Sequence, residues 1–168
     1  VLEGLNRFVD EGNQTEEDYK ALLKVLSQSN FDRLGFEKQE GESDEDEMVR
    51  QLIVGNMIKS DDETAKAQAS QIFDKYRDNL EKLPAAIRLQ VLVNQIKHYE
   101  SKGLTKLYLD LYVASNDGSF KNALSTALSY TKNKETLDEL LATWKDKFTV
   151  KPQDLSAWYA RFLSRDFT

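Results

Sequence analysis

The sequence predicts an all-α protein built from antiparallel helix pairs. Three observations carry that expectation. Apolar residues recur three and four positions apart along nearly the whole chain, the spacing that lines one face of an α-helix. Pro and Gly are scarce, at 2 and 7 of 168 residues, too few for the turns of a β-rich fold. Stretches of helical period alternate with short polar segments holding Ser, Thr, Asn or Asp, the residues that cap helix starts.

Taken in order, residues 1–9 read as the remnant of a helix, with Leu2, Leu5, Phe8 and Val9 on one side, and residues 10–14 as a loop. Thr15 caps the next helix, with Asp18 in the capping-box position three residues on. That helix turns Tyr19, Leu22, Leu23 and Leu26 inward, runs to Leu34 and is ended by Gly35. After a connector over residues 36–43, Ser43 caps a helix over residues 44–59 that buries Val49, Leu52, Ile53 and Met57. Ser60 or Asp61 caps the following helix, whose inward row is Ala65, Ala69, Ile72, Phe73, Tyr76 and Leu80; its alanines permit close helix contact.

Residues 83–103 read as one long helix at the middle of the chain. Pro84 suits its first turn, where a missing N–H costs nothing and φ is already set. Ile87, Val91, Leu92, Ile96 and Tyr99 recur at helical spacing, and Leu89 and Val93 add a second apolar row, so neighbours cover this helix on two sides. Gly103 is placed as its left-handed cap. A short helix over residues 104–115 follows, with Leu104, Leu107, Tyr108 and Leu111 on one face. Asn116, Asp117 and Gly118 signal a turn; the helical period of its flanks rejects a β-hairpin. Ser119 caps a helix through Tyr130 that holds Phe120, Leu124, Ala127 and Leu128. Asn133 caps the next, with Leu137, Leu141, Trp144 and Phe148 inward. Pro152 opens a last helix, or a turn leading into it, with Leu155, Trp158, Tyr159 and Phe162.

The first helices of successive pairs align at Met48, Leu89, Leu124 and Trp158, at spacings of 41, 35 and 34 residues. These fall in the range of two-helix solenoid repeats. No sharp consensus recurs, so the expectation is a degenerate HEAT- or armadillo-like superhelix, with residues 1–168 as a single helical-repeat domain. A compact orthogonal bundle is the structural rival.

Composition narrows the function. The net charge of −6 and a pI of about 4.9 argue against general affinity for nucleic acid. Without cysteine there is no disulfide framework, thiolate metal site or cysteine nucleophile, and a cytoplasmic origin fits. No apolar run approaches the roughly 18 residues of a membrane span, and no secretory apolar segment opens the chain. The first residue is Val, and the chain opens as if in mid-helix, so a processed product or a piece of something longer is expected.

The chemical motifs are mostly missing. The one histidine, His98, cannot build the two-imidazole H-E-x-x-H motif of zinc peptidases. A Ser-His-Asp triad would need it too, yet it lies beside Lys97 on a polar helix edge and reads as an ordinary boundary residue. There is no G-x-x-x-x-G-K-[ST] and no G-x-G-x-x-G. The acidic run over residues 40–47 lacks the alternating oxygens and sharp-turn glycine of a calcium loop, and reads as a solvated helix start favoured by the helix dipole. Trp144, Phe148, Trp158, Tyr159 and Phe162 fall at helical spacing and read as core rather than a ligand box. Lys145, Lys147 and Lys151 are scattered among acids and make no phosphate-tracking stripe; Lys132 and Lys134 read as solvated loop lysines.

Four segments read together carry a resemblance. Residues 31–58, FDRLGFEKQEGESDEDEMVRQLIVGNMI, resemble the "L-G-[WF]-x-x-x-x-G-E-S…-L-R" opening of the C-terminal helical domain of the aminopeptidase N family of zinc peptidases. LPAAIRLQVLV resembles that domain's "L-P-x-x-[IL]-R" helix start, ALSYTKNKETLDELL its "A-L-x-x-[ST]-x-[ND]-x-x-x-L-x-x-L-L" segment, and VKPQDL its "[IV]-[KR]-x-Q-[DE]" segment. They keep the family's order and compatible spacing over residues 31–155, and look closest to the bacterial members of the lactic-acid-bacterium type. The resemblance implies a HEAT-like superhelix, part of a larger C-terminal domain, that closes over a separate thermolysin-like catalytic domain and shapes the peptide cavity. Zinc and the catalytic glutamate would belong to that other domain, so this chain alone would hold no metal and hydrolyse nothing. The resemblance places Gln153 as a polar group facing the cavity. A cation that binds the peptide C-terminus in endoplasmic-reticulum relatives falls at Tyr130 here, a departure that speaks against any carboxylate-anchoring role.

Two functions are therefore weighed. The first is a segment of a cytoplasmic zinc aminopeptidase, partnered by its own catalytic domain and by peptide substrate, with neither nucleic acid nor membrane involved. The second is a free-standing helical-repeat adaptor that binds proteins on a concave face. An H-E-x-x-H-x(18)-E pattern several hundred residues upstream favours the first, and a start codon just before Val1 defeats it. A catalyst in its own right is the poorest reading.

Overall fold

The structure is a computed structural model that describes residue 9, residues 12–146 and residues 149–163. Among the described residues it holds helices and turns and no strand, so the fold is all-α. The helix expected at residues 1–9, with Leu2, Leu5 and Phe8, and the expected positions of Lys147 and Phe148, lie outside the described residues. Two compact units divide the chain, Val1–Asp74 and Lys75–Thr168.

The first unit contains α1 (Gln14–Leu34), α2 (Asp44–Lys59) and α3 (Glu63–Lys75), with α1 packed on α2. Asn13, not Thr15, caps α1: its side-chain oxygen accepts from the Thr15 N–H. Asp18 makes no capping box and instead accepts from the Gln14 amide, 2.9 Å away. The buried row of α1 is Leu23, Ser27, Phe31 and Leu34, while Leu22 and Leu26 face outward and Tyr19 is half-buried. The helix is turned by one residue from the expected phase. Phe31 and Leu34, further along the helix, lie on the buried face, and a polar contact that hydropathy does not weigh joins them: Asn56 of α2 donates to the Ser27 hydroxyl at 3.1 Å, within the α1–α2 seam. Val25, on the outward side, is 75% exposed.

The loop joining α1 and α2 is built from the first resembling segment. Gly35 adopts φ +52° and returns its N–H to the Phe31 carbonyl at 2.8 Å, ending α1 as expected. Phe36 tucks edge-on against Phe31, with ring centroids 5.8 Å apart. Gly41 takes φ +86°. Ser43 and Asp46 then form a reciprocal capping box at the start of α2, while Arg33 pairs with Asp46 at 2.9 Å. Arg50, buried in α2, donates to the Leu34 carbonyl at 3.3 Å and to the Glu42 carboxylate, tying both ends of the loop to one side chain. Ile53 and Met57 are buried as expected. Leu52 is exposed and Val49 half-buried, their expected places being taken by Arg50, Val54, Asn56 and Ile58.

Neither Ser60 nor Asp61 caps α3. Ser60 closes α2; Asp61 adopts φ +57°, and the Asp61 and Asp62 N–H groups return to the carbonyls of Ile58 and Met57, a Schellman-type reversal. Asp62 is then free to accept from the Ala65 N–H at 2.9 Å and start α3. Lys20 and Lys24 of α1 pair with Asp61 and Asp62 at 3.0 and 2.8 Å. Ala65, Ala69 and Phe73 are buried; Ile72 is half-buried.

The second unit runs through a 3-10 turn (Leu80–Lys82), α4 (Ala85–Tyr99), α5 (Lys102–Ala114), α6 (Gly118–Leu128), α7 (Lys134–Thr143) and α8 (Leu155–Leu163). Leu80, expected on the preceding helix, is buried in the turn, and Tyr76 is half-buried outside any helix. Pro84 sits just before α4, its carbonyl accepting from the Arg88 N–H at 2.9 Å. Ile87, Val91, Leu92, Val93 and Ile96 are buried; Leu89 is half-buried and Tyr99 exposed. Arg88 reaches back to the Leu83 and Glu81 carbonyls at 3.1 and 2.9 Å and across to Asp117 at 3.4 Å, fastening the turn to the start of α6.

The expected single helix over residues 83–103 is broken. Glu100 is extended, with ψ 136°, and accepts from the Thr131 hydroxyl at 2.6 Å; the Ser101 hydroxyl accepts from the Leu104 N–H and starts α5. Gly103 is therefore in the first turn of α5 and not a left-handed cap. Tyr108 and Tyr112 fill the buried side of α5, with Leu104, Leu107 and Leu111 half-buried, and the Tyr108 hydroxyl donates to the Leu92 carbonyl at 3.2 Å. Asp117, not Ser119, caps α6, because its carboxylate meets both the Ser119 and Phe120 N–H groups; the helix ends at Leu128. Phe120, Leu124, Ala127 and Leu128 are buried as expected, with α6 packed on α4, α5 and α8. Asn133 caps α7 as expected, but Thr136 and Leu140 are its buried residues, with Leu137 half-buried and Leu141 exposed. Of the four positions aligned as repeats, Leu124 and Trp158 are buried, Leu89 is half-buried and Met48 is 75% exposed.

These caps and pairs fix the acid response. The Arg50 hydrogen bond holds Glu42 below its usual 4.5, and Arg33 holds Asp46 below 3.8. Burial pushes Asp62 up, but Lys24 and the Ala65 N–H outweigh it, so its carboxyl also lies low. The Phe120 and Ser119 N–H groups lower Asp117, and Lys102 lowers Glu135. A carboxyl depressed in the folded state binds fewer protons there than in the unfolded chain. Its stabilisation is complete above the ordinary value and is lost as pH falls through the folded one. Far-UV circular dichroism will show stability declining below roughly pH 4.5, and a stability maximum in that acid range would contradict this account.

Candidate functional site

A polar cleft of about 330 Å³ opens in the second unit where α5, α6, the turn over residues 149–154 and α8 meet. Its floor is aromatic. Trp158 is stacked on Phe162, with centroids 6.0 Å apart and planes at 12°, and stands edge-on to Tyr112 at 5.1 Å and Trp144 at 6.0 Å. Trp144, Trp158 and Phe162 are therefore core, as their spacing suggested, while Tyr159 is half in solvent with its ring against Trp144.

Hydrogen bonds lead from this floor to the cleft wall. The Trp158 Nε1–H donates to the Tyr112 hydroxyl at 3.0 Å, and that hydroxyl donates to Asp154 at 3.3 Å. Burial, with the Asp154 charge behind it, raises the Tyr112 pKa above the usual phenol value, so it stays a neutral donor. Asp154 also starts α8, its carbonyl accepting from the Ala157 and Trp158 N–H groups at 3.1 Å. On the opposite side Arg161 donates through Nε to Thr126 at 3.0 Å and also contacts Asn122; burial lowers its pKa. The Lys121 ammonium lies 4.5 Å from the centre of the Tyr112 ring.

Gln153 lines this cleft, together with Lys151, from the turn ahead of α8; its side chain is exposed and bonds to no other described residue. Tyr130 is half-buried after the end of α6 and is not part of the cleft lining. Lys132, Lys134 and Lys145 are exposed. In the acidic run, Glu42, Asp46 and Glu47 pair with Arg50, Arg33 and Lys38. His98 is half-buried, its ring edge-on to Tyr99.

Sequence reasoning reached Gln153 and missed Tyr112, Lys121 and Arg161. They come from three different helices, and no spacing along the chain announces that they meet. Among the described residues no group of three or more His, Cys, Asp or Glu side chains is placed to hold a metal ion. The described residues do not fit zinc.

The arrangement, then, is that of an all-helical domain with a charged polar recess over an aromatic floor. The whole of residues 1–167 matches the family model described as ERAP1-like C-terminal domain, and the chain belongs to that family. Over 167 residues, 99% of this chain, it is 48% identical to an aminopeptidase N of Lactococcus lactis subsp. lactis. It is 34% identical to aminopeptidase N of Lactobacillus delbrueckii subsp. lactis over 95% of the chain, and 32% identical to that of Lactobacillus helveticus over 97%. The chain spans about a fifth of the length of these relatives.

Proposed function

We propose that this chain is a segment of the C-terminal helical domain of a cytoplasmic zinc aminopeptidase, an enzyme that removes N-terminal residues from peptides. The segment shapes the peptide cavity and packs on the catalytic domain of the same parent chain; zinc belongs to that domain. The observation that carries this reading is the family match over residues 1–167, joined to 48% identity with a protein named aminopeptidase N. Two features of the chain support it. The outward row Leu22, Val25 and Leu26 on α1 is what a helix carries when a further element covers it. The cleft places Gln153 among polar side chains above Tyr112 and Trp158, and such convergent polar groups orient a ligand in a concave site.

The test uses the complete reading frame. The full-length protein will release N-terminal residues from short peptides and aminoacyl anilides, and chelation will abolish this; the 168-residue chain alone will release none. Zinc content is checked by elemental analysis. A metal-independent full-length protein, or robust turnover by the 168-residue chain, would overturn the reading.

A further inference from the structure

We propose that the outward face of α2 is a docking surface for a basic, apolar-bearing part of the parent chain that lies outside these 168 residues. The proposal rests on reading the chain as a segment of a longer protein, and it names the surface at which the rest of that protein packs. The first unit is apolar on the wrong side for a free-standing pair of helices. Its helices bury Ser27, Arg50 and Asn56 in their packed sides, yet leave Leu22, Val25 and Leu26 of α1 and Met48 and Leu52 of α2 exposed. Met48 and Leu52 are one turn apart, on the side of α2 opposite Ile53 and Met57. Exposed apolar side chains scattered singly are ordinary, but rows at helical spacing on two packed helices mark faces that neighbours cover. The Met48 thioether suits such a contact, because its unbranched stem adapts to the surface it meets.

Charge selects the occupant. Residues 1–74, the first unit, hold 18 Asp and Glu against 8 Lys and Arg, whereas residues 75–168 hold 11 against 15. On the α2 face itself, exposed Asp44 and Glu45 lie one turn before Met48, and Lys59 stands at the far end of the row. A second copy presenting the same face would bring like charge against like, which disfavours association. The complement is a surface that offers apolar side chains to Met48 and Leu52 and Lys or Arg to the carboxylates around them. The chain spans about a fifth of the length of its relatives, so the same polypeptide has room for that surface. A surface tethered in this way meets α2 at high effective concentration and needs little affinity of its own.

The sequence carries its own probe. Its two methionines are Met48, 75% exposed, and Met57, fully buried in the same helix. Oxidation of a thioether by hydrogen peroxide follows exposure, and mass spectrometry of the digested protein reads each site. In the 168-residue chain Met48 will oxidise as fast as a short Met peptide in the same tube, and Met57 far more slowly. In the full-length protein Met48 will oxidise about tenfold more slowly than that peptide. Equal rates for Met48 and the peptide in the full-length protein overturn the docking surface. Carbodiimide coupling reads the charge: it will join Asp44 or Glu45 directly to a lysine outside residues 1–168. A mixture of isotope-labelled and unlabelled full-length protein tells a lysine of the same polypeptide from one of a second copy. Coupling confined to residues 1–168, coupling between copies, or none overturns the occupant named here. Peptide cleavage is assayed on the same preparation. An active enzyme with a freely oxidised Met48 keeps the aminopeptidase reading without this surface. A protected and coupled face on a protein that cleaves nothing keeps the surface without that reading.

Discussion

Truncating Trp158 to Ala will destabilise the second unit by about 4 kcal/mol in urea denaturation. The side chain is 1% exposed and stands at the centre of the aromatic floor, against Phe162, Tyr112 and Trp144. Its removal opens a cavity that the surrounding rings cannot fill without leaving their rotamers. It also deletes the Nε1–H donated to Tyr112, and leaves that hydroxyl with Asp154 as its remaining partner. Trp158→Phe separates the two contributions. It keeps most of the ring contact and loses the hydrogen bond, so its cost will be nearer 1–2 kcal/mol. A loss under about 1 kcal/mol for the Ala variant would mean that α8 is not packed as described.

The second large effect will come from Arg50→Ala, at about 3 kcal/mol in the first unit. Arg50 is 1% exposed, and its guanidinium bonds both the carbonyl at the end of α1 and the carboxylate just before α2. Removing it leaves the Leu34 carbonyl without that donor, releases the loop over residues 35–43 and empties the space its stem filled. Arg50→Lys will not restore stability, because a single ammonium cannot reproduce a planar fork aimed at two acceptors. Arg50→Met will do better than Ala by refilling the volume. Denaturation followed by circular dichroism ranks the three, and a Lys variant equal to the unmodified chain would show that charge alone is needed.

Arg50 also shows what was legible beforehand. The segments that carried the family resemblance are mostly places where the backbone needs a particular residue. Gly35 and Gly41 supply positive φ, Ser43 caps, Glu42 holds Arg50, and Arg88 fastens the turn before α4. Such positions are visible in a sequence because each depends on local chemistry. The same holds for Ser43 at the start of α2 and Asn133 at the start of α7. The phase of α1 was not legible, because Leu22, Leu23 and Leu26 are equally apolar and the face that is buried, with Leu23, Phe31 and Leu34, also carries a Ser27–Asn56 bond between helices. The break at Glu100 was hidden for a similar reason, since its partner Thr131 is 31 residues away. The cleft is the extreme case. Gln153 was flagged by its local segment, but the charge pattern around it exists only once α5, α6 and α8 are folded together.

Both tryptophans of the sequence, Trp144 and Trp158, are buried in the unit that runs from Lys75 to Thr168. The tryptophan emission of the chain, excited at wavelengths too long for tyrosine, therefore originates wholly from that half. Melting of residues 75–168 will move that emission toward the red as the indoles meet water, whereas melting of the N-terminal half leaves the tryptophan signal unchanged. Dichroism follows both. A mismatch between the two signals on one titration would resolve two separate transitions without any label being attached.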